Sequence, residues 1–172
     1  GGGVRSIDKV KELVDAGVYR VIVGTQAITN PSFLEELATL NEGKVKYADH
    51  IVIAIDVLDE VIKYSGWLES SPIKLIAYID KCLALEFFSF LCTVISKDGK
   101  LGGAGVELYQ KLLNHSPIIK LIASGGISSM GDIQKLQELG GVESVVVGKA
   151  IYENRITIDE VKDWNLKSLI RF

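Results

Sequence analysis

The sequence predicts an α/β fold in which parallel strands alternate with helices, an incomplete (β/α)8 TIM-barrel of about five strands. Three observations carry that expectation. Short apolar runs recur at residues 19–23, 51–55, 87–95, 118–123 and 145–147, and helical patterns separate them. The run Ile51-Val52-Ile53-Ala54-Ile55 is apolar at every position, as strands of a parallel sheet covered on both faces are. Finally, one glycine-bearing unit occurs twice. Gly2-Gly3-Val4-Arg5-Ser6 matches Gly125-Gly126-Ile127-Ser128-Ser129, and Val23-Gly24-Thr25-Gln26-Ala27-Ile28 matches Val147-Gly148-Lys149-Ala150-Ile151 with one extra residue in the first copy.

The elements follow in order. Ser6 caps a first helix with Asp8 in its first turn, Ile7, Val10, Leu13 and Val14 inward, and Gly17 to stop it. After the strand at 19–23, Asn30-Pro31 supplies a cap and a first-turn proline for a helix burying Phe33, Leu34, Leu37 and Ala38. The strand at 51–55 runs into a loop through Trp67. Ser71-Pro72 then reads as the start of a helix with Ile73, Ile76 and Ile79 inward. The strand at 87–95 leaves through Ser96-Lys97-Asp98-Gly99, a helix spans about 105–114, and a strand precedes Gly125. Thr157 and Glu160 form a capping box for a last helix carrying Val161 and Trp164.

The repeated unit is a strand ending in glycines that open a helix, followed by a second strand ending in Gly24-Thr25 or Gly148-Lys149. Backbone N–H groups converging there, with a helix N-terminus behind them, make a cradle for a phosphate. Glycines that merely pack helices on a sheet would share part of the pattern, but glycines at both strand ends of each unit favour the anion. Two cradles imply a small-molecule ligand with a phosphate at each end. Units at 1–28 and 118–151, about four strands apart, fit an eight-stranded barrel built of two halves. The later glycine pair follows an apolar strand, whereas the chain begins on three glycines without a Met. The expectation is one domain over 1–172 that lacks the first three barrel strands.

Composition narrows the partners. The 172 residues carry 48% hydrophobic residues and a net charge of −3, without a basic run, which argues against nucleic acid. No apolar stretch nears the roughly 20 residues of a membrane span. Cys82 and Cys92 lie in apolar stretches without metal-ligand spacing, as reduced core thiols of a cytoplasmic protein would. Nothing suggests a cofactor or metal.

The ordered set Gly1-Gly2-Gly3-Val4-Arg5-Ser6, Val23-Gly24-Thr25-Gln26-Ala27, Ala54-Ile55-Asp56 with Ser65-Gly66-Trp67, Cys92-Thr93 with Ile95-Ser96-Lys97-Asp98-Gly99, Ala123 to Ser129 and Val147 to Glu153 covers essentially the whole chain. It resembles the C-terminal two-thirds of the phosphoribosylformimino-5-aminoimidazole carboxamide ribotide isomerase family of histidine biosynthesis. The related cyclase subunit of imidazole glycerol phosphate synthase shares the half-barrel repeat. Gly66-Trp67, Gly-Ile-Ser-Ser and Gly148-Lys149-Ala150 favour the isomerase.

The resemblance implies an Amadori rearrangement of a bisphosphorylated aminoaldose to an aminoketose, without a cofactor. It makes Asp56 the general acid, where composition alone allows a turn-capping aspartate. It places Thr93 near the reacting sugar, Asp98 as an orienting residue and Trp67 stacked on the substrate's heterocycle. Gly2, Gly3, Arg5, Gly24 and Thr25 would bind one phosphate, and Gly125, Gly126, Gly148 and Lys149 the other. The sequence departs from the family in Val94 and Lys100, where relatives carry an acidic residue and a threonine. The family's second carboxylate lies on the first barrel strand, absent here, so the chain alone is expected to be inactive or nearly so. The competing reading is a non-catalytic bisphosphate-binding fragment that self-associates through exposed sheet edges.

Overall fold

A computed structural model describes residues 1–100 and 102–169. Ser6 caps α1 (Ile7–Asp15) by accepting the Lys9 amide, and Val10 and Val14 turn inward. There follow β1 (Val21–Val23), the short α2 (Thr25–Thr29) and α3 (Pro31–Thr39), which buries Phe33, Leu34 and Leu37. A small hairpin of β2 (Asn41–Glu42) and β3 (Val45–Lys46) and a 3-10 turn (Tyr47–His50) lead to β4 (Ile51–Leu58). Then come β5 (Val61–Tyr64), β6 (Glu69–Lys74), α4 (Leu75–Ala84), β7 (Ser89–Val94), α5 (Val106–His115), β8 (Lys120–Ser124) and α6 (Met130–Glu138). The chain continues with β9 (Val142–Val146), α7 (Lys149–Tyr152) and α8 (Ile158–Leu169).

Five strands run parallel in the order β1-β4-β7-β8-β9, as the apolar runs predict. β4 is longer than its neighbours. Its first residues pair with β1 and its last, Asp56 to Leu58, pair antiparallel with β5.

That antiparallel extension corrects the expected loop and the helix start at Ser71-Pro72. β4, β5 and β6 form a meander, and α4 begins only at Leu75, burying Leu75, Tyr78, Ile79 and Cys82, with Ile73 and Ile76 only half-buried. Pro72 sits in β6, where an edge strand tolerates a missing donor, and the Ser71 hydroxyl accepts the Ile73 amide instead of capping a helix. The β4–β5 turn, Asp59-Glu60, places both residues at positive φ, 50° and 63°, the conformation of a two-residue hairpin turn that sequence normally signals with Asn-Gly.

Among the described residues the sheet is not covered on both faces towards the C-terminal ends of its strands. Ile51, Ile53, Ile55 and Val57 are buried with Phe90, Cys92, Leu121 and Ala123 in one core with the helices. On the opposite face Val52 is buried near the start of β4, whereas Ala54, Asp56, Leu91, Thr93, Ile122 and Ser124 are only half-buried. The apolar character of that face follows from curvature. The sheet curls until Arg20, just before β1, donates to Glu143 on β9 at 2.6 Å, although these lie at opposite edges. Glu143 is the extra residue where the β8–β9 register shifts, and such a bulge re-aims a side chain. Among the described residues β1 and β9 share no ladder, so the barrel is not closed.

Candidate active site

The C-terminal ends of the five parallel strands gather the residues singled out in the sequence. In register, Asp56 of β4 stands beside Thr93 of β7, Thr93 beside Ser124 of β8, and Ser124 beside Val146 of β9, a single row on the open face. Gly24 follows β1 on one side of the row, and Gly125 and Gly148 follow β8 and β9 on the other. From β1 to β8 is three strand spacings, roughly 14 Å along the sheet.

The sequence repeat is also a repeat of backbone shape. Gly24 has φ −118° and ψ −102°, and Gly148 has φ −112° and ψ −94°. The capping serines match too, Ser6 at −141°/157° and Ser129 at −151°/162°. Gly2 and Gly3 at φ 86° and 69° correspond to Gly125 and Gly126 at 95° and 77°.

Each copy borders a cavity. One of about 510 Å³ is lined by Gly2, Gly3, Arg5, Gly24, Thr25 and Asp56, among others. The other, about 250 Å³, is lined by Asp98, Ser124, Gly125, Gly126, Gly148 and Lys149, among others. Thr93 and Trp67 line neither cavity. Thr93 stands in the row between them, and Trp67, at the tip of the β5–β6 hairpin, donates its indole N–H to Asp56 Oδ2 at 2.8 Å. The same tip is tied to the first copy, because the Ser65 amide donates to the Thr25 hydroxyl at 3.2 Å. Ser65, Gly66 and Trp67 all have positive φ, so this turn is held by its contacts against a conformation that Ser and Trp disfavour.

The two copies differ in packing. A methyl group added at Gly125 would lie 2.7 Å from the Val94 carbonyl oxygen, and one at Gly126 would lie 2.4 Å from the Gly103 carbonyl oxygen. Additions at Gly2 or Gly3 would meet nothing within 4 Å. The second loop is therefore wedged against the end of β7 and the segment that follows it, while the first is open.

The N-terminus of α6 departs from expectation. The Asp132 carboxylate, on a residue only 8% exposed, accepts the Ser128 amide at 2.9 Å and hydroxyl at 2.8 Å, and the Ser129 amide at 3.1 Å and hydroxyl at 3.2 Å. Burial alone would raise its pKa, but these donors outweigh it and hold it below the usual aspartate value. Two helix-terminal amides expected to face an anion are thus already satisfied by a side chain. The signal was present as Ser129-x-x-Asp132, a capping box.

Lys149 is similarly engaged, donating to the Gly99 carbonyl at 3.1 Å and lying 3.4 Å from Glu153. Arg5 is exposed at the first cavity. Cys82 and Cys92 are buried, free thiols pushed up to about 12 by that burial, too high for nucleophilic work near neutrality. Among the described residues no cluster of His, Cys, Asp and Glu could hold a metal, and no helix is long and apolar enough to cross a membrane.

A sequence model described as "Histidine biosynthesis protein" matches residues 1–157. The chain is 39% identical over 167 residues to a protein of Flavobacterium psychrophilum, covering 96% of this chain and 66% of the relative. That relative is named 1-(5-phosphoribosyl)-5-((5-phosphoribosylamino)methylideneamino) imidazole-4-carboxamide isomerase. Relatives of the same name from Streptococcus sanguinis (37% over 167 residues, 95% of this chain and 65% of the relative) and Bacillus cereus (40% over 164 residues, 94% and 64%) are similarly close. The chain spans just under two thirds of the length of these relatives.

Proposed function

The chain belongs to the histidine biosynthesis protein family, and from that premise we propose that it carries the phosphate-gripping part of an Amadori isomerase site, working in the cytoplasm. The substrate is a bisphosphorylated aminoaldose. The relatives' name contains two phosphoribosyl groups, hence two phosphates. The observation that carries the reading is the placement of two backbone-equivalent glycine loops on one end of one sheet, with the row Asp56–Thr93–Ser124 between them.

In this reading Gly2, Gly3, Arg5, Gly24 and Thr25 hold one phosphate, and Gly125, Gly126, Gly148 and Lys149 the other. Asp56, as the acid, gives its proton to the ring oxygen as the bond between that oxygen and the anomeric carbon breaks, leaving an imine. A base then removes the proton from the neighbouring sugar carbon, and the enolamine so formed rearranges to the aminoketose. Thr93 adjoins the reacting carbons, Asp98 orients the second half of the substrate, and Trp67 leaves Asp56 to stack on the heterocycle. No cofactor enters.

Among the described residues lining the first cavity, Asp56 is the one carboxylate. The reaction calls for a second proton-transfer group across the substrate, and losing such a partner costs about 100- to 10,000-fold in rate. The chain alone should therefore turn over that much more slowly than its relatives. Adding a polypeptide that supplies the first three strands of a family barrel should restore rate, and Asp56→Asn should abolish what is restored. Full activity in the chain alone, or in Asp56→Asn, would contradict the assignment.

Among the described residues the outer edges of β1 and β9 pair with no strand, which favours a second reading beside this one, self-association of the chain without turnover. Concentration-dependent mass in solution would support it. The relatives' names point to the isomerase rather than the cyclase.

A further inference from the structure

Tyr109, on α5, is 0% exposed, and its hydroxyl lies where the β7–β8 ladder ends. It accepts the Ser124 amide N–H at 3.1 Å and donates to the Ser124 carbonyl at 2.6 Å, with the Cys92 carbonyl at 3.3 Å. One side-chain oxygen thus takes the place of a neighbouring strand for both main-chain groups of a single residue. Ser124 is the last residue of β8, partner of Thr93 in register and immediate neighbour of Gly125. One residue on, the backbone reaches φ 95° and presses against Val94 so closely that a side chain cannot fit.

We infer that Tyr109 is a positioning residue for the second anion-binding loop: by holding both main-chain groups of Ser124 it sets the direction in which Gly125 and Gly126 leave the sheet. An ordinary strand neighbour would draw Ser124 on along the ladder. A hydroxyl carried on a helix ends the ladder there and fixes the turn from behind the sheet, without touching the ligand. The functional half of this inference rests on the phosphate reading above; the structural half does not.

The test uses the 172-residue chain and Tyr109→Phe, which keeps the buried ring and removes only the oxygen. Amide hydrogen exchange is followed at Ser124, Gly125 and Gly126. Inorganic phosphate is then titrated against the amide resonances of Gly24-Thr25 and Gly125-Gly126. In the variant, exchange at Ser124–Gly126 should rise, and phosphate affinity at Gly125-Gly126 should fall, each roughly tenfold, with Gly24-Thr25 unchanged. A merely structural role would weaken both loops equally or neither, and either result overturns the inference. If wild-type protein binds no phosphate at Gly125-Gly126 while exchange there still rises in the variant, the phosphate reading fails and the positioning stands. Should Tyr109→Phe not fold, the wild-type Ser124 amide decides. Slow exchange, as in the core strands, supports the clamp, and fast exchange removes it.

Discussion

Asp132 concentrates more polar contact than any catalytic candidate, with four donors converging on one of its oxygens. Because they favour the charged form, its stabilising effect is complete above the ordinary aspartate value of 3.8 and is lost as the pH falls below that towards the folded value. Asp132→Asn should cost about 2 kcal/mol in urea unfolding at neutral pH, since an amide cannot accept for all four donors. The gap to wild type should close in acid. A gap that persists undiminished at low pH would mean that charge is not what holds the loop. At this scale the sequence was partly readable. Gly125 and Gly126 announced a turn that only glycine can make, and Ser129-x-x-Asp132 announced a cap. That the cap takes amides otherwise free for a ligand depends on where one carboxylate points, which spacing does not encode.

Among elements, the β5–β6 hairpin links Asp56 to the first glycine loop. Trp67 touches Asp56, and two residues earlier Ser65 touches Thr25. A phosphate held at Gly24-Thr25 would compete for the Thr25 hydroxyl and loosen the hairpin. Thr25→Val mimics that loss. Amide exchange at Ser65 should rise roughly tenfold, the effect of removing one exposed hydrogen bond, while Ser124 stays unchanged. Unchanged exchange at Ser65 would show that the hairpin stands without the tie. Four of the parallel strands were legible as apolar runs, and α1, α3 and α8 because each carries a cap and a helical apolar face; β9 (Val142–Val146) begins three residues before the apolar run at 145–147, because Glu143 and Ser144 interrupt its pattern. The hairpin was not. Val61–Tyr64 is too short for its alternation to stand out, Asp59-Glu60 adopts a turn usually marked by glycine, and Ser71-Pro72 imitates a helix start.

For the molecule as a whole, the all-apolar run at 51–55 suggested a sheet covered on both faces, and curvature explains why, among the described residues, it is not. Residues of one strand face pack under helices, while the other face curls around open space. Arg20 and Glu143 are 123 positions apart, so no local pattern could foretell their meeting. Their side chains are 31% and 37% exposed, and a pair so placed contributes about 0.5 kcal/mol. Glu143→Gln should accordingly leave the unfolding midpoint almost unmoved. A large loss would mean that the pair itself bends the sheet. Backbone geometry and the single core hold the curve instead, and that curve brings both glycine loops to one rim.

The central claim is that these loops grip the two ends of one ligand with Asp56 between them. The most direct measurement titrates the chain with the bisphosphorylated aminoketose product while following the amide resonances of Gly24, Thr25, Gly125, Gly126 and Gly148. One molecule per chain should shift both sets together, with a single dissociation constant, and move the Trp67 indole resonance away from its Asp56-bonded position. Two molecules per chain, or shifts confined to one loop, would contradict it.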